Sequence, residues 1–128
     1  MVPKFRAWDK RENKMRDVAV LHFTKGGKVN SIEYWNTPFD LKSYHVRNLV
    51  LMQSTGLKDK NGVEIFEGDV VEWLEHRGVV EFVLNNQQTM IIGASGYITD
   101  LDYSTDFNTE VIGNIHENPK ILGQANEI

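Results

Sequence analysis

The run TGLKDKNGVEIFEGDVVEW, Thr55 to Trp73, most narrows what this chain can fold into. Its Asn61-Gly62 pair is a strong hairpin signal, because both residues tolerate positive φ and the resulting turn matches the twist of paired strands. Leu57 before the turn, and Val63 and Ile65 after it, supply the flanking strand positions. Gly68, set between Glu67 and Asp69, lacks the Cβ that would obstruct a kink from one strand into the next. Beyond it the side chains alternate, Val71 and Trp73 to one side and Val70 and Leu74 to the other. His76-Arg77-Gly78 reads as a turn, after which Val80, Phe82 and Leu84 share a face. Paired across that hairpin, Val71, Trp73, Val80 and Phe82 make a compact core face.

More short apolar runs follow. TMIIG, GYITDL and EVIGNI, ending near Ile115, are separated by glycine or by polar turns such as NNQQ at Asn85–Gln88. Short strands at this spacing predict an SH3-like small β-barrel over residues 56–118, whose closure hides the edges that isolated hairpins expose. Residues 119–128 are then a C-terminal tail.

Upstream, KFRAWD, RDVAVLHF and VNSIEYW read as strands, joined by turns at NKM and TKGGK. Asp40 can cap a short helix through Leu41, Tyr44 and Val46, which recur at roughly helical spacing before the strand VRNLVLMQ. Residues 1–55 are therefore expected to be an N-terminal antiparallel meander with a short helix. The whole chain is expected to be mainly β, α+β in class.

A chain of 128 residues that is 41% hydrophobic and 25% charged has material for an ordinary core. The absence of cysteine excludes disulfides and Cys-based zinc sites. No apolar run approaches the ~18 residues of a membrane span, so a soluble, intracellular protein is expected.

Charge is unevenly placed. Residues 1–28 hold eight Lys or Arg against three acids, a net of +5, whereas Gly78–Pro119 holds six acids and no Lys or Arg. Such polarity suits either a polyanion or the attraction of two protein surfaces. Arg6, Trp8, Lys10 and Arg11 are the candidate nucleic-acid-binding residues, the ring stacking on bases and the cations meeting phosphates. Asp100, Asp102, Asp106 and Glu110 are the candidate interaction surface, able to face the basic N-terminal segment of another copy.

Motifs for chemistry are missing. His22, His45, His76 and His116 lack metal-ligand spacing. The acids from Asp100 onward fail the calcium-loop pattern, because Thr105 occupies the obligatory glycine position. Ser95 in GASGY lacks the nucleophile elbow, and neither a phosphate loop nor G-x-G-x-x-G occurs, so no cofactor is expected. Glu64, Glu67, Asp69, Glu72 and Glu75 are the residues that a small hydrolase would have to use.

Three blocks together carry a resemblance. KFRAWD, LMQSTGLKDKNGVEIFEGDVVEW and EVIGNIHENP, in this order and bracketing residues 4–119, resemble the YopX family of phage and prophage proteins. Phe66 stands where the family often has Tyr, and so does His116. The resemblance implies an N-terminal α+β part before an SH3-type barrel, a phage origin and a bacterial cytoplasmic setting, and it brings no catalytic residue. The expected function is a non-catalytic, self-associating or protein-binding accessory module, with nucleic-acid binding as the alternative and a small hydrolase after that.

Overall fold

The computed structural model describes residues 4–84 and 87–124. Asn85 and Asn86 of the expected NNQQ turn, and the last four residues of the tail, lie outside the described residues. The chain divides into two compact units between Gln53 and Ser54.

The N-terminal unit contains β1 (Phe5–Asp9), β2 (Lys14–Phe23), β3 (Val29–Thr37), β4 (Asp40–His45) and the first half of β5 (Leu49–Lys58). All are antiparallel, in the order β4-β3-β2-β1-β5. Alternation puts Ala7, Ile32, Tyr34 and Leu49 into one cluster, with Val18, Leu21, Tyr44 and Leu51 packed around it. Polar side chains share this core. Tyr34 and Tyr44 rings lie 5.3 Å apart, Arg16 sits 4.6 Å over Tyr34, and Arg11 sits 3.9 Å over Tyr44. Burial, only partly opposed by Arg16, raises the Tyr34 pKa above its ordinary value, so this ladder of rings and cations stays neutral at Tyr34.

The expected helix is not formed: Asp40–His45 is strand β4. Pro38 and Phe39 lie in a tight turn, after which Trp35 faces Leu41 and Ile32 faces Tyr44 across the ladder. The roughly helical spacing of Leu41 and Tyr44 instead puts them on opposite faces of a strand, Leu41 exposed and Tyr44 against Tyr34. Only the single turns Val46–Asn48, Asp106–Asn108 and Ile121–Gln124 are helical among the described residues. The class is all-β.

In the C-terminal unit, the second half of β5 pairs with β6 (Glu64–Phe66). β7 (Asp69–Trp73), β8 (His76–Val83), β9 (Gln88–Gly93), β10 (Gly96–Asp100) and β11 (Thr109–Asn114) form a second antiparallel sheet, ordered β10-β9-β8-β7-β11. β10 and β11 are its two ends, so the sheet is open and the expected closed barrel is not formed. Leu57, Ile65, Val71, Val80, Ile91 and Leu101 make its core, with Trp73, Ile98 and Val111 packed against them.

The β7–β8 turn is also placed differently from expectation. Leu74 and Glu75 form it, Leu74 taking φ 55°, and His76 already faces Trp73 in the ladder. Val71 therefore faces Gly78, where a Cβ would lie 2.7 Å from Ile91 Cγ2. Phe82, expected inside, is 48% exposed.

Candidate functional site

The polar residues of the three sequence blocks are built into joints. Asp9 accepts from Arg11 N at 3.0 Å and Glu12 N at 3.3 Å through Oδ1, and from the Arg16 guanidinium through Oδ2. Asp59 accepts from Asn61 N and Val63 N at 2.8 and 2.9 Å, and its other oxygen accepts from Val111 N at 2.8 Å. One carboxylate thus closes the β5–β6 turn and ties it to β11. Within that turn Gly62 alone has positive φ, at 82°, following a bend closed by its N–H on Asp59 O. Asp69 is buried and accepts from Phe66 N at 2.8 Å, while Gly68, at φ 84°, donates to Val80 O and accepts from Ile115 N. Asn114 accepts from His116 N and Glu117 N and donates to the Glu117 carboxylate. Asx side chains mimic a backbone turn in this way. None of these four groups is presented to solvent as a reacting atom, since all four residues are buried.

The four nucleic-acid candidates do not share one exposed face. Arg6 and Trp8 alternate with Ala7 and Asp9 along β1 and are half-buried, on the face opposite the Ala7 cluster. Lys10 and Arg11 are both exposed at the β1–β2 turn, with the Arg11 guanidinium over the Tyr44 ring.

The acidic candidates occupy the end of β10, the loop to β11 and, for Glu110, β11 itself. Asp102 is exposed and accepts from Ser104 Oγ at 2.5 Å and Ser104 N at 2.8 Å, which holds its carboxyl below the usual aspartate value. Asp106 opens a single helical turn, and Glu110 pairs with Lys60 at 3.3 Å. Two aromatic residues that the charge pattern did not single out stand in this loop, Tyr103 at 82% exposure and Phe107 at 61%.

A cleft of about 580 Å³ opens between the β7–β8 and β9–β10 turns, lined by Glu72, Glu75, His76, Arg77, Ser95 and Tyr97 among others. Glu72 and Arg77 face each other in the ladder and pair at 2.5 Å, and Arg77 also donates to Ile121 O at 3.1 Å. His76 stacks on Trp73, with ring centroids 6.2 Å apart. Tyr97, 60% exposed, donates from its hydroxyl to Asp100 Oδ1 at 3.1 Å, joining the cleft to the acidic loop. Its pKa is raised, by desolvation and then by that hydrogen bond. Ser95 and His76 line the same cleft, yet no hydrogen bond joins them among the described residues, and a nucleophile–base pair is built on such a bond. Of the acids that a hydrolase would need, Asp69 closes a turn and Glu72 is paired with Arg77. Sequence alone gave no sign of the cleft, because its walls come from two turns about twenty residues apart.

Two open antiparallel sheets with polar joints, and with surface aromatics and acids beside a polar cleft, define a small all-β protein. The family profile described as "YopX protein" matches residues 4–123, and the chain belongs to the YopX family. Protein EF1440 from Enterococcus faecalis has a similar crystal structure, with TM-score 0.65 and 31% identity over 95% of this chain and 99% of that one. Protein yopX from Bacillus subtilis shares the fold at TM-score 0.60 and 20% identity, over 93% of this chain and 95% of that one. Comparison with curated protein sequences gives no match. No helix among the described residues is long and apolar enough to cross a membrane.

Proposed function

We propose that this chain is a non-catalytic protein-interaction module of a phage or prophage, working in the cytoplasm of the bacterial host. Its acidic, aromatic-bearing β10–β11 loop engages basic protein surfaces, among them the N-terminal segment of a second copy. The observation that carries this reading is the exposure of Tyr103 and Phe107 beside Asp102 and Asp106. Aromatic residues on a soluble surface cost hydration and are enriched where a partner covers them. The opposite charges of residues 1–28 and 78–119 supply complementarity for self-association.

The test is light-scattering mass against salt. At low ionic strength the mass is expected to exceed the 14.7 kDa of one chain and to fall as salt rises, because surface charges are screened within ~10 Å at 0.1 M. Tyr103→Ser with Phe107→Ser should abolish the larger species. A monomeric mass at low salt, unchanged by the double substitution, would count against self-association.

A further inference from the structure

Beside the loop, the cleft has features that the interaction reading leaves unused. β10 forms one end of its sheet, and its outer edge carries no strand partner among the described residues. Such an edge offers a row of backbone donors and acceptors on which an extended peptide can add as a strand. The cleft opens at the Gly96 end of this edge, where Ser95, Gly96 and Tyr97 belong to its wall. Gly93 and Ile98 also belong to its wall and pack closely, since a Cβ on Gly93 would lie 2.8 Å from Ile98 Cδ1. A bulge between Tyr97 and Thr99 breaks the regular ladder there, so the strand changes direction beside the opening.

The charges select the guest. Arg77, the one unconditional cation of the cleft, is already held by Glu72 and by Ile121 O. Glu75 is exposed and has no hydrogen bond or ion pair among the described residues, which leaves the lining one negative charge in excess. The faces of Tyr97 and His76 add π surface, suited to a guanidinium or an ammonium. Asp100, tied to the Tyr97 hydroxyl, extends the negative field along the same strand. An acidic segment would meet Glu75 and Asp100 with no cation at liberty to receive it.

We infer that the β10 edge and its cleft form a docking groove for an extended segment of another protein, with an arginine or lysine side chain in the cleft against Glu75 and Tyr97. This rests on the interaction-module reading and deepens it by naming the chemistry of the partner.

The probe is the blocked pentapeptide Ac-Thr-Val-Arg-Val-Thr-NH2, titrated into ¹⁵N-labelled protein and followed by amide chemical shifts. Ac-Thr-Val-Glu-Val-Thr-NH2 serves as the control. Saturable shifts confined to His76, Arg77 and Ser95–Asp100 with the arginine peptide alone are expected. Glu75→Gln and Tyr97→Ala, both at exposed positions, should each weaken the arginine peptide about three- to tenfold. Equal response to both peptides, shifts confined elsewhere, or no shift at millimolar peptide would overturn the assignment. So would shifts of these same amides on concentrating the free protein, because a second copy would then be the occupant. Salt-dependent self-association that persists while the arginine peptide fails to bind refutes the groove and leaves the interaction reading standing.

Discussion

Arg16 Nη2 lies 3.3 Å from Asp9 Oδ2, and both side chains are buried in the N-terminal unit. The pair sits at the close of the β1–β2 turn, where Glu12 also reaches the guanidinium. Removing one member strands the other charge in a medium that solvates it poorly. Asp9→Ala is expected to lower stability by about 3–5 kcal/mol in urea unfolding followed by tryptophan fluorescence. Arg16→Met should cost about as much by leaving the carboxylate alone. Asp9→Asn combined with Arg16→Met removes both charges while an amide oxygen still caps the turn, so its cost should fall well below the sum of Asp9→Asn and Arg16→Met measured singly. Strict additivity would show that the pair is not coupled.

Asp59 serves three backbone donors on two elements. Asp59→Ala removes the acceptor of three part-buried N–H groups and is expected to cost about 2–4 kcal/mol, at roughly 1–3 kcal/mol for each unsatisfied donor and partial relief by water. The more specific readout is hydrogen exchange. The Val111 amide should lose protection in the variant, and an amide that stays protected would rule out the tie to β11.

Trp73 packs on the core, yet its Nε1 is buried and makes no hydrogen bond among the described residues. Trp73→Phe gives up apolar area but also removes an unsatisfied donor, two effects that oppose each other. A net loss under about 1 kcal/mol is expected, against about 3–5 kcal/mol for Trp73→Ala. Similar losses for the two variants would mean that the donor has a partner in solution.

At Asp102 the two Ser104 donors favour the ionised carboxylate. With the folded value lowered, the contribution to stability is complete above the ordinary aspartate range and fades as pH falls through the lowered value. Ser104→Ala should move the Asp102 midpoint up, toward an ordinary aspartate, in a carboxyl NMR titration. An unmoved midpoint would mean that the hydroxyl contributes nothing.

Most strands were legible because alternation and glycine joints are local signals, and Gly62 and Gly68 take positive φ where such joints were expected. β4 was misread because Asp40, Leu41 and Tyr44 satisfy a helical spacing and a hairpin return equally well. What decides between them is tertiary: Tyr44 packs on Tyr34 and carries Arg11. The β7–β8 turn was displaced for a different reason. Glycine drew the expected turn to Gly78, whereas leucine at Leu74 adopts the left-handed conformation that leucine ordinarily avoids. Barrel closure is a question of whether β10 and β11 meet, and no residue in either strand announces that. The acidic loop was visible as charge, but its aromatic members were not, because exposure follows from the fold.

The burial of Asp9, Asp59, Asp69 and Asn114 bears on any genetic screen of this protein. Substitutions there would score as null alleles through lower cellular abundance, since unfolded chains are cleared by proteases. Alleles that retain full protein levels but no longer capture a partner should map instead to Glu75, Tyr97, Tyr103 and Phe107.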